Sequence, residues 1–281
     1  MQHLTGFAPL AARYGGFIID LWGVVHDGVT PYEGAVDCLQ RLRASGKPTV
    51  LLSNAPRRAA VAQEGMRAMG IPDALYTGIL TSGEATHRML RDRSDPWFAA
   101  LGERVFHLGP ARDRNVMEQL SLQRVEHPGE ATFVLNTGPD DRRSPTDIAE
   151  YEAVLQDCAR HRLPMVCANP DLEVIRGGNR VICAGALAER YQALGGAVRS
   201  VGKPDPAIYR PVLAMLDLPA RAVLAVGDAL RTDIAGAAAA GIDACWVLGG
   251  INHGFAAPDD AEAAAAMSGL SPVACVPALV W

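Results

Sequence analysis

Short, wholly apolar runs alternate along the chain with segments whose apolar residues recur at helical spacing. Phe17-Ile18-Ile19 ends on Asp20, Thr49-Val-Leu-Leu ends on Ser53-Asn54, and Ala222-Val-Leu-Ala-Val ends on Gly227-Asp228. A further run is Ala244-Cys-Trp-Val-Leu. Runs that are apolar at every position predict strands buried on both faces, as in a parallel sheet. Between them, Val36, Leu39 and Leu42 mark a helix over 35–45 that stops at Gly46, and a second helix over 58–69 is closed by Gly70. Helical segments also cover 184–194, 207–216 and 234–240. This alternation predicts right-handed crossovers and a doubly wound α/β sheet. Residues 1–15 carry little signal, and the alanine-rich 261–266 reads as a surface helix.

The middle of the chain has another character. After a short strand and helix over 77–91, with Thr81-Ser82 as the N-cap, Val105-Phe-His-Leu and Thr132-Phe-Val-Leu are short strands set among breakers. Residues 136–147 form a long polar loop, 148–161 a helix, and Met165-Val-Cys-Ala a strand that ends on Asn169-Pro170-Asp171. The pattern predicts a second α/β module at 95–182, inserted into a core made of 1–94 and 183–281.

Composition narrows the class. Hydrophobic residues make up 49% and charged residues 20% of 281, the balance of a soluble globular protein of one large or two ordinary domains. The net charge of −5, with no basic block, argues against nucleic-acid or membrane-surface partners. No apolar stretch reaches the length of a membrane span, and the N-terminus has no signal-peptide pattern. The six scattered cysteines contain no Cys-x-x-Cys pair and predict reduced thiols in a cytoplasmic protein.

The chemistry sits at the strand ends. In open α/β sheets ligands bind beyond the carboxyl ends of the strands, and here those ends carry Asp20, Ser53-Asn54, Asp228 with Asp233, and Lys203 nearby. Carboxylates crowded on one edge repel unless they share a cation, and Mg²⁺ with oxygen ligands is the economical choice. Ser53 and the amides after it offer donors to phosphate oxygens, and Lys203 offers a compact positive charge. Asp20 is then free to attack phosphorus and form an aspartyl phosphate.

Asp20-x-x-Gly-Val, Ser53-Asn54, Gly202-Lys203-Pro204 and Gly227-Asp228-x-x-x-x-Asp233 resemble, in order, the four motifs of the haloacid dehalogenase superfamily. Only 33 positions separate Asp20 from Ser53, but 150 separate Ser53 from Lys203, room for an inserted cap of the class II kind. Asn54-Ala-Pro-Arg, Thr81-Ser82 and Asn169-Pro-Asp are similar to subclass IIA, the 4-nitrophenylphosphatase and pyridoxal-phosphatase-like enzymes. The resemblance implies a phosphatase acting on a small phosphorylated metabolite, with Asp20 as nucleophile and Lys203 beside it. It implies Mg²⁺ on Asp20, the Trp22 carbonyl and Asp228, supported by Asp233. It further implies phosphate contacts from Ser53, Asn54 and Lys203, substrate choice in Asn169, Asp171 and the 138–144 loop, and a homodimer through the cap.

One position departs from the pattern. The superfamily's phosphatases carry a second Asp two residues after the nucleophile, which protonates the leaving group; here that residue is Trp22. Three outcomes stay open: a phosphatase that favours good leaving groups, one in which His26 or Asp27 substitutes, or an impaired relative that binds or senses a phosphometabolite without turnover.

Overall fold

The computed structural model describes residues 1–252 and 258–281. Its larger sheet has seven strands, all parallel. In chain order they are β1 (Gln2–His3), β2 (Gly16–Ile19), β3 (Thr49–Ser53), β4 (Gly78–Thr81) and, after a long insertion, β12 (Val223–Gly227), β13 (Asp243–Val247) and β14 (Ala274–Val276). Their spatial order is β1-β14-β13-β12-β2-β3-β4. The apolar run of β2 serves both faces of this sheet. Phe17 and Ile19 pack with Leu39, Leu42 and Leu51, while Ile18 packs with Val50, Val212 and Trp246. A doubly wound sheet requires such two-sided burial.

The helices follow their periodicity. The helix Ala35–Ala44 buries Ala35, Cys38, Leu39 and Leu42, turns an Asp37–Arg41 pair to solvent, and is followed by Gly46 at φ 69°. Thr81 caps Ser82–Asp92 by accepting the Glu84 N–H at 3.0 Å. All six cysteines are free and buried. Among the described residues no helix is long and apolar enough to cross a membrane.

The inserted segment carries its own parallel sheet: β5 (Arg104–Leu108), β6 (Gln123–Val125), β7 (Phe133–Asn136), β8 (Met165–Cys167) and β11 (Val198–Ser200), in the order β11-β8-β7-β5-β6. Between β8 and β11 lies an antiparallel hairpin, β9 (Glu173–Arg176) with β10 (Asn179–Ile182). The expected boundary at 182 is therefore corrected. The helix Ala184–Ala193 packs Leu187, Ala188 and Tyr191 against Val134, Leu155 and Met165, and β11 pairs with β8. Residues 183–200 belong to the inserted unit, because a parallel β8–β11 pair needs that helix as its crossover. One smaller expectation also changes: Gln2–His3 extend the main sheet by pairing with β14. The alanine-rich helix lies on the surface with Ala261 and Ala265 against the core.

Candidate active site

Register brings the predicted residues to one place. Ile19 lies opposite Val226 on one side and Leu51 on the other, and the Asp20 N–H donates to the Val226 carbonyl at 2.9 Å. Asp20 and Asp228 therefore follow, and Ser53 ends, three adjacent strands at the point where the strand order reverses, the usual ligand crevice of such sheets. Lys203 arrives from the loop after β11. Its Nζ donates to Asp20 Oδ1 and Asp233 Oδ1, both at 2.7 Å, and to the Leu52 carbonyl at 3.1 Å. Asp233 sits on a π-helical turn, Leu230–Ile234, of the kind often found at functional sites.

Charge in this crevice is out of balance. Carboxylate oxygens of Asp20, Asp228 and Asp233 lie within 4.8 Å of one another, all three residues are buried, and one lysine answers them. Burial pushes Asp20 up to about 8 against the opposing pull of Lys203, and Asp233 adds to the rise. Burial also raises Asp228 well above the carboxylate range, with Asp20 and Asp233 contributing. Burial alone would lower Lys203, but Asp20, Asp233 and Asp171 outweigh it and hold the ammonium charged. Three hard oxygen donors short of positive charge suit a divalent cation.

The side chain of Asn54 is engaged within the protein. Its Nδ2 donates to Asp171 Oδ1 at 2.8 Å and to the Lys203 carbonyl at 3.1 Å, while its Oδ1 accepts the Lys203 N–H at 2.8 Å. Both ends of the amide are spent on tying the Lys203 loop to the inserted unit, which leaves a phosphate the main-chain N–H. Ser53 is buried at the end of β3, where its Oγ accepts the Ala55 N–H at 3.2 Å. Asn169 closes a turn by accepting the Asp171 N–H at 3.0 Å.

Trp22 begins a flap over residues 22–30. Its ring meets His26 edge-on with centroids 5.4 Å apart, and it lies so close over Gly28 that a Cβ there would be 2.1 Å from the indole. His26 is buried and pushed down to about 4 by desolvation; its Nδ1 accepts the Gly28 N–H at 3.0 Å. It is neutral at physiological pH. Asp27 Oδ1 accepts the Val29 and Thr30 N–H groups, and those bonds lower its pKa. His26 is tied into its turn through Nδ1, and the Asp27 carboxylate is spent on two main-chain N–H groups.

A cavity of roughly 270 Å³ lies over the crevice, lined by Asp20, Trp22, Asp171, Asp228 and Thr232 together with Leu172 and residues 173–175 of β9. The β9–β10 hairpin that roofs it went unrecognised in the sequence, although Arg176-Gly177-Gly178-Asn179 carries the signal. Both glycines have positive φ (52° and 79°), as a two-residue hairpin turn requires. Ile251 was also missed; its N–H donates to Asp228 Oδ2 at 2.8 Å and fixes that carboxylate.

Two family models match the chain on either side of most of the insertion: haloacid dehalogenase-like hydrolase over residues 17–123 and HAD-hydrolase-like over 200–271. Chronophin of Mus musculus is 30% identical over 228 residues, covering 78% of this chain and 75% of its own. The chain belongs to the haloacid dehalogenase-like hydrolases. D-glycerol 3-phosphate phosphatase of Mycobacterium tuberculosis is 30% identical over 251 residues, with 88% of this chain covered; the match spans 66% of that relative, just under two thirds of its length. Among solved structures, a haloacid dehalogenase-like hydrolase from Brucella suis 1330 superposes with a TM-score of 0.85 at 32% identity, covering 99% of this chain and 100% of that one.

Proposed function

We propose that this haloacid dehalogenase-like hydrolase is a Mg²⁺-dependent phosphomonoesterase that acts on small phosphorylated metabolites through an aspartyl phosphate on Asp20. The observation that carries the reading is Lys203 Nζ, 2.7 Å from both Asp20 and Asp233, beside the third buried carboxylate Asp228. The donor set fits the ion: Asp20 and Asp228 would hold it together with the Trp22 carbonyl, which accepts no main-chain hydrogen bond among the described residues. Asp233, engaged by Lys203 and by the Ala229 N–H at 3.1 Å, would act in support. When bound, Mg²⁺ supplies electrostatic stabilisation of charge on the transferring phosphoryl group.

The rest is the work of the chain itself. Asp20 attacks phosphorus in line, the bond from phosphorus to the leaving oxygen breaks, and the Asp20 carboxylate becomes an acyl phosphate. The Ser53 hydroxyl and the N–H groups after it hold the equatorial oxygens, with the Lys203 charge beside Asp20 to offset theirs. Water then attacks phosphorus, the bond from phosphorus to the Asp20 oxygen breaks, and the proton of water leaves with the inorganic phosphate, returning Asp20 as a carboxylate. Because Trp22 holds the position of the usual acid, the leaving oxygen departs bearing its own charge, so aryl and acyl phosphates react better than alkyl ones. Loss of such a general acid is worth ~10²–10⁴ in rate. The state of His26 and Asp27 favours this reading over one in which either residue substitutes.

The test is release of nitrophenol from 4-nitrophenyl phosphate with and without Mg²⁺. Activity should require the ion, and Asp20→Asn should lower kcat on the order of 10³-fold or more. Turnover that persists in Asp20→Asn would overturn the nucleophile assignment. Turnover that is indifferent to chelation would overturn the metal.

A further inference from the structure

Beside the catalytic cavity lies a second, of roughly 370 Å³, and Trp22, Asp171 and Val174 line both. The two spaces therefore meet at the indole. In the second cavity three elements bring guanidinium groups together: Arg57 from the loop after β3, Arg112 from the 3₁₀ turn Ala111–Met117, and Arg176 from the end of β9. They face one carboxylate, Asp113, which is 1% exposed. Its Oδ1 lies 3.7 Å from Arg57 Nη2 and 4.0 Å from Arg112 Nε, beyond hydrogen-bond length in both cases.

The polar groups here are incompletely used. Asp113 Oδ1 and Arg57 Nε are both buried and without a hydrogen-bond partner, and the Arg176 guanidinium makes no side-chain hydrogen bond or ion pair among the described residues. The other acids of the lining are engaged elsewhere: Asp140 with Arg143, Asp141 with the Ala111 N–H, and Asp171 with Asn54. Burial pushes Asp113 up to about 6 even beside Arg57 and Arg112, which makes it a weak counter-ion for them. Arg57 is held in place by its backbone. Its carbonyl accepts from Thr81 Oγ1, and a Cβ at Gly83 would lie 2.2 Å from its nitrogen. A partly buried guanidinium with unused donors on a fixed stretch of backbone, flanked by two more at the mouth, suits a planar or tetrahedral anion.

We propose that this cavity receives the leaving group of substrates carrying a second anionic group, a carboxylate or a second phosphoryl, bound by Arg57, Arg112 and Arg176 while the ester reaches Asp20 past Trp22. The assignment rests on the phosphatase reading above and adds the class of substrate to it. Two like anions at either end of one small molecule give the site a ruler: only esters of the right length engage both.

The test compares kcat/KM for phosphoglycolate and 3-phosphoglycerate (carboxylate arm), fructose 1,6-bisphosphate (phosphoryl arm), and glycerol 3-phosphate and 4-nitrophenyl phosphate (neutral arm). In the native enzyme at least one anionic arm should exceed glycerol 3-phosphate by tenfold or more, and the better arm names the anion. Arg57→Gln and the solvent-exposed Arg176→Gln should each lower that arm at least tenfold more than the neutral arm, mainly through KM. Equal losses in all arms, or no native preference, would overturn the subsite while leaving the phosphatase intact. If no ester turns over, the phosphatase reading fails by itself, and calorimetric titration of the same esters into Asp20→Asn still reads the cavity. Tighter binding of an anionic ester that Arg176→Gln abolishes supports the subsite; equal binding of all esters overturns it.

Discussion

Trp22 does structural work that a carboxylate at the same position would not. Its ring covers Gly28 and meets His26, so the flap is held over the crevice by aromatic packing. Trp22→Asp should therefore cost about 1–3 kcal/mol, less than the ~3–5 of a fully buried aromatic because the ring is half-exposed. Calorimetry should find a Tm several degrees lower, and an unchanged Tm would mean that the indole contributes no packing. The carboxylates make a second residue-scale prediction. Asp20 has its pKa raised from 3.8 to about 8, so between those values the folded chain holds a proton that the unfolded chain has lost. That contribution is present at low pH and falls away as pH rises toward 8. Mg²⁺ competes with that proton, so its stabilising effect should grow with pH. His26 and His107, both pushed down to about 4, are neutral in the folded chain over the range that matters. The metal-free protein should lose Tm between pH 7 and pH 8, and saturating Mg²⁺ should raise Tm more at pH 8. An equal increment at both values, or an Asp228→Asn variant with the same increment, would contradict the shared cation site.

At the scale of elements, legibility followed burial. Strands β2, β3 and β12 could be read because each is apolar on both faces and then breaks abruptly to a polar residue, and the residues at those breaks are the ones that meet. The β9–β10 hairpin could not be read that way. Its strands are only half-buried, so no period stands out, and the glycine pair was the single clue. Nor could β1 be read, since two residues carry no pattern. Asn54 was recognised by its place in a motif, but sequence spacing could not reveal that its side chain would be taken up by Asp171, 117 residues away. The hairpin gives a clean test. A Cβ on Gly178 meets nothing within 4 Å, so Gly178→Ala acts only through its φ of 79° and should cost ~1–2 kcal/mol locally. Loosening the hairpin that lines both cavities should raise KM severalfold with a smaller change in kcat. A kcat loss with KM unchanged would separate the hairpin from substrate binding.

Across the whole molecule, the two sheets share one apolar layer, in which Ile18 and Val50 of the larger belong with Phe133 and Val166 of the smaller. Polar ties cross the same junction: Asn54 to Asp171, the Arg58 N–H to Asn115 Oδ1 at 2.7 Å, and Arg231 to the Pro170 carbonyl at 2.9 Å. The 150 positions between Ser53 and Lys203 left room for the second sheet, but spacing could not say where it ends, because the short, half-exposed β11 could have joined either sheet. The central claim is that this architecture assembles an aspartyl-phosphate site whose acid position is filled by an indole. Its most direct test is kcat/KM with Mg²⁺ for a series of phosphate monoesters of graded leaving-group pKa, in the native enzyme and in Trp22→Asp. The account predicts rates that fall steeply as the leaving group becomes more basic, and a shallower slope in the variant with alkyl esters gaining most. A flat dependence in the native enzyme would contradict it, because a proton donor would then be acting in place of the missing carboxylic acid.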